Sequence, residues 1–81
     1  MARTRSEAAY LKALGESVRA AREAMDLSQE DLGFEADLDR TYISGIERGV
    51  RNPTVTSLLR IARALGTKPG ALLAQADGRS R

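Results

Sequence analysis

Apolar residues recur three or four positions apart along almost all of this 81-residue chain. That spacing places them on one face of an α-helix, and no segment shows the alternation typical of a half-buried strand. The chain is therefore expected to bury its apolar side chains by packing short amphipathic helices together. We predict a compact, all-α domain of five helices.

Capping residues and helix breakers divide this pattern into separate helices. The predicted helices span about residues 6–25, 29–36, 40–48, 55–65 and 69–76. Good N-caps precede the first four, namely Ser6, Ser28, Asp39 and Thr54. Helix ends are predicted at Gly49 and Gly66, and Pro69 opens the fifth helix. The buried stripes of the first and fourth helices are Leu11, Leu14, Val18, Ala21 and Met25, and then Val55, Leu58, Ala62 and Leu65.

The composition excludes several kinds of chemistry. Cysteine and histidine are both absent, which removes disulfides, thiolate–imidazole zinc sites and the commonest general base. The acids Glu30, Asp31 and Glu35 lie on a short helix, where acids near the start are ordinarily partners of the helix dipole. We therefore expect no catalytic residue, no metal site and no cofactor, and an enzyme is disfavoured.

Nothing in the sequence directs the chain to a membrane. No apolar run approaches the ~20 residues of a membrane-spanning helix, and the start, MARTRSEAAY, lacks the apolar stretch of a signal peptide. We expect a cytoplasmic protein with no membrane partner. No pocket for a small-molecule effector is suggested either.

Charge is unevenly distributed along the chain, although the net charge is only +2. Residues 16–39 carry two arginines against eight acids, a net −6, whereas residues 40–63 carry five arginines against one acid, a net +4. Arginine suits forked contacts with phosphate and guanine. A biased genome composition explains the excess of arginine over lysine equally well.

The third predicted helix has one face that is entirely polar or small. At 100° per residue, that face carries Arg40, Thr41, Ser44, Gly45 and Arg48. A solvated surface would carry such residues, but it gives no reason for Gly45, because glycine costs a helix roughly 1 kcal/mol relative to alanine. Close approach of another macromolecule does give a reason.

The preceding helix is short and is joined to this one by the three-residue turn 37–39. That arrangement is the helix-turn-helix unit, whose second helix enters the DNA major groove. Three segments, LGESVRAAREAMDLSQEDL (14–32), LDRTYISGIERGVRNP (38–53) and LLRIARALG (58–66), resemble the lambda-repressor/Cro-type (XRE-type) helix-turn-helix family. Within that family, DRTYISGIER followed by RN looks most like the controller proteins of restriction–modification systems, which are small dimeric regulators.

The resemblance implies two groups of DNA-contacting residues. Arginine can bond guanine O6 and N7 together, and a threonine methyl can touch that of thymine. The base-reading positions are Arg40, Thr41 and Ser44, and the positions for backbone or flanking contacts are Ser28, Gln29, Tyr42, Arg48, Arg51 and Asn52. Arg51 either contacts phosphate as part of the loop after the third helix or enters the minor groove in a dimer.

The resemblance also implies a buried structural ion pair between Arg22 and Glu47, which ties the first helix to the third.

The sequence also departs from the family's pattern at several positions. Asp37 stands where a turn glycine is usual, and aspartate tolerates the left-handed conformation. Gly33 stands where alanine is common, which is expected to loosen the second helix.

Two further departures lie at Phe34 and Gly45. Phe34 occupies a position that is usually polar, so it is either an exposed contact or folded back on the first helix. Gly45 replaces a larger base-reading residue of many relatives. Direct readout is therefore expected to rest on Arg40 and Thr41, with DNA shape supplying the remainder.

Relatives pair their domains across a two-fold axis, and the apolar residues beyond a minimal core predict a homodimer interface here. These residues are Leu59, Ile61, Leu72 and Leu73. An interior position explains each of them equally well, although a chain this short can hardly bury all four. The expected organisation is a flexible arm (1–7), a DNA-binding and dimerisation domain (8–76) and a frayed tail (77–81).

The predicted function is a sequence-specific transcriptional regulator of the controller type. As a homodimer, it would bind an inverted-repeat operator in double-stranded DNA, with half-sites about one helical turn apart. One alternative is the antitoxin of a toxin–antitoxin pair, which shares the DNA-binding half. The other is a protein-interaction module with the same fold, favoured by the acidic stretch 16–39, which would repel phosphate.

Overall fold

The computed structural model describes residues 3–80. Within that range the chain forms five α-helices and no strand, which confirms the predicted fold class. The helices are α1 (Arg5–Ala24), α2 (Gln29–Ala36), α3 (Arg40–Glu47), α4 (Val55–Ala64) and α5 (Pro69–Arg79). Residues 1–2 of the expected arm and residue 81 of the expected tail lie outside the described residues.

The first helix begins and ends one residue earlier than the sequence predicts, and the last helix is longer. Ser6 was expected to cap α1, and this prediction is wrong. Thr4 caps α1 instead, because its hydroxyl accepts the Glu7 N–H at 3.1 Å and the Glu7 carboxylate accepts the Thr4 N–H at 2.8 Å. Residues 5–7 of the expected arm therefore belong to α1, and α5 continues past residue 77 to Arg79.

The other helix boundaries follow local capping chemistry. Ser28 accepts the N–H of Asp31 at 2.9 Å, and the Asp31 carboxylate accepts the Ser28 N–H at 3.0 Å. The backbone hydrogen bond from Ser28 is the main reason that the pKa of Asp31 is lowered. Asp39 and Thr54 cap α3 and α4. Gly49 and Gly66 have φ of 76° and 69°, the left-handed conformation that glycine adopts at helix ends.

The helices pack in a closed arrangement in which α1 contacts α3 and α5, while α2 contacts α3 and α4. Two predicted members of the buried stripes, Met25 and Val55, are instead 48% and 83% exposed. Helical spacing identifies a face, but it does not say how far along that face the neighbouring helices reach. The largest fully buried apolar side chains are Val18, Leu32, Ile43, Ile46, Ile61 and Leu72.

The same burial corrects the expected dimer surface. Ile61 and Leu72 are 0% exposed within the single chain, because α4 and α5 pack against each other and against α2 and α1. These two residues therefore belong to the core and are not available to a second copy. Leu73 is 37% exposed and Leu59 is half-buried.

None of the helices formed by residues 3–80 combines the length and apolarity needed to cross a membrane.

The close crossing of α1 and α3 depends on Gly15. A Cβ atom on Gly15 would overlap the carbonyl oxygen of Ile46 and lie 2.5 Å from that of Glu47. Both obstructing atoms are backbone atoms in the last turn of α3. They cannot rotate away, so a side chain at position 15 would push the two helices apart.

We predict that Gly15→Ala destabilises the fold by about 1–3 kcal/mol, the usual cost of overpacking, despite the better helix propensity of alanine. Urea denaturation measures this change. Gly70→Ala is the matched control, since a Cβ on Gly70 in α5 meets nothing within 4 Å. A Gly15→Ala protein as stable as wild type would contradict the close crossing.

Candidate nucleic-acid interface

A buried ion pair fixes the position of α3. Arg22, in the last turn of α1, donates from Nε to Glu47 Oε2 at 2.7 Å and from Nη2 to Glu47 Oε1 at 2.9 Å. The two side chains are 10% and 2% exposed. Nη1 of Arg22 donates to the Leu27 carbonyl at 2.7 Å, so the connector before α2 is held as well. The hydrogen bond with Glu47 raises the pKa of Arg22, and the guanidinium stays charged.

Gln29 joins this cluster from the start of α2. Its Nε2 donates to Glu47 Oε1 at 3.1 Å, and the residue is half-buried. The resemblance predicts a phosphate contact for this amide. One of its two hydrogens is used inside the protein, which leaves the other hydrogen for a ligand. The neighbouring Ser28 is exposed, and its hydroxyl caps α2.

The exposed face of α3 carries the residues predicted to read bases. Arg40 and Thr41 are exposed in the first turn, and Ser44 is half-buried one turn later. The N–H of Thr41 donates to Asp39 Oδ1 at 2.8 Å, and Oγ1 of Thr41 donates to the same atom. The Thr41 methyl group and the oxygen lone pairs are left for a ligand. The hydroxyl's hydrogen bond is the main reason that the pKa of Asp39 is lowered, so the cap stays ionised.

The turn between α2 and α3 closes tightly onto α2. Asp37 has the expected left-handed conformation, with φ of 56°. The Leu38 N–H donates to the Gly33 carbonyl at 2.8 Å, and a Cβ on Gly33 would lie 2.7 Å from the Leu38 carbonyl oxygen. This close packing gives Gly33 a structural role that the sequence did not indicate. The glycine lets the turn pack against α2 and so fixes the spacing of the two helices.

Gly45 faces the protein's own loop. It is buried, and a Cβ there would overlap Cγ of Arg51 and lie 3.2 Å from its Cβ. The guanidinium carbon of Arg51 lies 5.1 Å from the centroid of the Tyr42 ring. The interpretation of Gly45 as room for an approaching macromolecule is wrong, because the Arg51 side chain takes that space.

The loop that follows α3 is tied back to the helix. The Gly45 carbonyl accepts the N–H groups of Val50 and Arg51 at 3.0 and 3.1 Å. The Tyr42 hydroxyl accepts the Thr54 N–H at 3.3 Å and so connects α3 to the cap of α4. A helical wheel gives no sign of these contacts, because it treats α3 apart from the loop that covers it.

The remaining predicted contacts lie on the surface around α3. Arg48 and Asn52 are exposed. Phe34 is 85% exposed, which decides between its two interpretations in favour of an exposed side chain. It borders a surface groove on α2 together with Glu30, Asp31, Glu35 and Leu27.

No group of three or more acidic side chains within residues 3–80 is arranged to hold a metal ion.

A model of the helix-turn-helix family matches residues 18–72. The chain belongs to this family. It is similar to the control protein C.BamHI of Bacillus amyloliquefaciens, with 50% identity over 60 residues that cover 73% of this chain and 74% of that protein. The predicted resemblance to XRE-type regulators, and to controller proteins in particular, is confirmed.

Two solved structures agree with this assignment. The restriction–modification controller protein C.AhdI from Aeromonas hydrophila aligns with a TM-score of 0.75 and 44% identity, covering 76% of this chain and 94% of that one. The controller protein C.Esp1396I, as a tetramer in complex with its natural 35-base-pair operator, aligns with a TM-score of 0.77 and 34% identity. That alignment covers 88% of this chain and 93% of the other.

We predict that Glu47→Ala destabilises the protein by about 3–5 kcal/mol, because it leaves the buried Arg22 guanidinium without its partner. Thermal and urea denaturation measure the loss. Glu23→Ala is the control, since Glu23 pairs with Arg19 at 3.4 Å on the exposed side of α1 and such pairs contribute only about 0.3–0.5 kcal/mol. An unchanged melting temperature in Glu47→Ala would show that the buried pair does not hold α3.

Proposed function

We propose that this chain is a sequence-specific, DNA-binding transcriptional regulator that acts in the manner of a restriction–modification controller protein. The observation that carries the proposal is the exposed first turn of α3, where Arg40 and Thr41 lie on a helix anchored through Glu47. In helix-turn-helix proteins this end of the second helix contacts base edges in the major groove. The similar controller protein C.Esp1396I forms a complex with its own operator.

Arg40 and Thr41 are proposed as the principal base readers. Neither of the two ion pairs formed within residues 3–80 involves Arg40, so its guanidinium is available to bond guanine O6 and N7 together. The hydroxyl of Thr41 is engaged with Asp39, which favours contact through its methyl group. Ser44 follows one turn later on the same helix.

A second set of residues is proposed to contact the sugar–phosphate backbone or flanking bases. The start of α2 presents backbone N–H groups and the positive end of a helix dipole, which together suit a phosphate. The loop after α3 adds two arginines. The proposed residues are Ser28, Gln29, Tyr42, Arg48, Arg51 and Asn52.

Several carboxylates of the acidic stretch 16–39 have intramolecular roles, so the stretch does not by itself require a protein partner. Asp31 and Asp39 cap helices, and Glu23 pairs with Arg19. The exposed Phe34 beside Glu30 and Glu35 favours a second candidate function, in which this side of α2 binds a protein partner. That candidate ranks below DNA binding because it leaves the exposed end of α3 without a role.

We also propose a homodimer formed through α4 and α5. A single α3 reads only a few base pairs, whereas two copies related by a two-fold axis read an inverted repeat with half-sites about 34–36 Å apart. Leu59 and Leu73 keep part of their apolar surface exposed and are the interface residues left after Ile61 and Leu72 are assigned to the core. The similar C.Esp1396I is a tetramer on its operator.

A regulator of this kind acts by occupying DNA, so the proposal includes no catalytic residue and no cofactor. It places the protein in the cytoplasm, where its operator lies.

Selection of duplexes from a random DNA pool tests the proposal, in roughly 150 mM salt to suppress non-specific phosphate binding. We expect an inverted repeat to be recovered. A single half-site would contradict the dimer, and the absence of any enriched sequence would contradict the regulator itself.

The selected duplex then tests the role of Arg40. We expect Arg40→Ala to lose about 1–3 kcal/mol of binding free energy and to relax the preference at one base pair. Arg63→Ala, which removes an exposed arginine from α4, is the control and should leave base preference unchanged. An unchanged preference in Arg40→Ala would remove Arg40 from the base readers.

A further inference from the structure

We propose that Gly45 sets the position from which Arg51 meets DNA, and so determines affinity for the operator without contacting DNA itself. The inference rests on the proposed function, because it takes Arg51 to contact the duplex. In this scheme Arg51 is the contact residue and Gly45 is a positioning residue. Neither the helical wheel nor the family pattern assigns Gly45 that role.

The Arg51 side chain lies across α3 in the space that Gly45 leaves. A Cβ on Gly45 would overlap Cγ of Arg51 and lie 3.2 Å from its Cβ. The overlapped atom is in the stem of the side chain and not at its flexible tip. A methyl group at position 45 cannot be accommodated by turning the guanidinium alone, so the whole side chain would have to leave α3.

Two contacts hold Arg51 in this position. Its guanidinium carbon lies 5.1 Å from the Tyr42 ring centroid, which is within cation–π range. Its N–H donates to the Gly45 carbonyl at 3.1 Å. The Tyr42 ring is itself held, since its hydroxyl accepts the Thr54 N–H at 3.3 Å. Both contacts favour this position of Arg51 in the free protein.

This arrangement predicts opposite effects of Gly45→Ala on folding and on DNA binding. Alanine is the better helix former, and the displaced Arg51 is an exposed residue that water can solvate. The melting temperature should therefore not fall. In the variant, DNA binding would have to order a long side chain that the wild-type protein already holds against α3. Operator affinity should therefore fall roughly three- to tenfold.

A double-mutant cycle tests whether Gly45 acts through Arg51. The wild type, Gly45→Ala, Arg51→Ala and the double variant are titrated against the labelled operator recovered from the random pool, in roughly 150 mM salt. We expect Gly45→Ala to weaken binding in the wild-type background and to cause no further loss once Arg51 is alanine. Gly78→Ala, near the end of α5, is the matched control, since a Cβ there meets nothing within 4 Å.

Several outcomes would overturn the inference while leaving the proposed function intact. Equal losses from Gly45→Ala with and without Arg51 would assign the effect to α3 itself. Wild-type affinity in either single variant would remove the positioning role. A melting temperature that falls together with affinity would indicate a damaged helix. If wild-type protein enriches no DNA sequence, the proposed function fails first and the inference fails with it.

Discussion

The rest of the interface depends on the buried contact of Arg22 with Glu47. The helices α2 and α3 have only eight residues each, too few to be stable by their own hydrogen bonds. Glu47 accepts two hydrogen bonds from Arg22 and one from Gln29, so the end of α1, the start of α2 and the end of α3 meet at one carboxylate. Separating them would leave a buried charge unpaired. The position of the exposed first turn of α3 follows from that constraint.

Three glycines complete the arrangement by allowing close contacts. Gly15 lets α1 approach the last turn of α3, Gly33 lets the turn fold onto α2, and Gly45 makes room for Arg51. Helix propensity alone would favour alanine at each position. At Gly15 and Gly33 a Cβ would instead meet backbone atoms, and at Gly45 it would meet the stem of Arg51. We expect these close contacts to reduce the conformational entropy that DNA binding must remove.

The helices could be predicted from the sequence because they depend on local chemistry. Burial and loop contacts could not be predicted in this way. The start of α2 follows from Ser28, because a cap and its helix are neighbours in the chain. Ile61 and Leu72 exceed a minimal core stripe, and only the packing of α4 and α5 decides that they are interior. The role of Gly45 depends on Arg51, whose position comes from a loop held by tertiary contacts. No helical wheel contains that information.

Recognition of DNA by α3 is tested most directly by comparing the backbone amide resonances of the free protein with those in complex with its selected duplex. We expect the largest shifts over residues 28–31, 40–44 and 48–52, which include the start of α2, the exposed end of α3 and the loop after it. Shifts centred on Phe34 and the acidic side of α2, with residues 40–44 unchanged, would contradict recognition by α3 and would favour a surface for a protein partner.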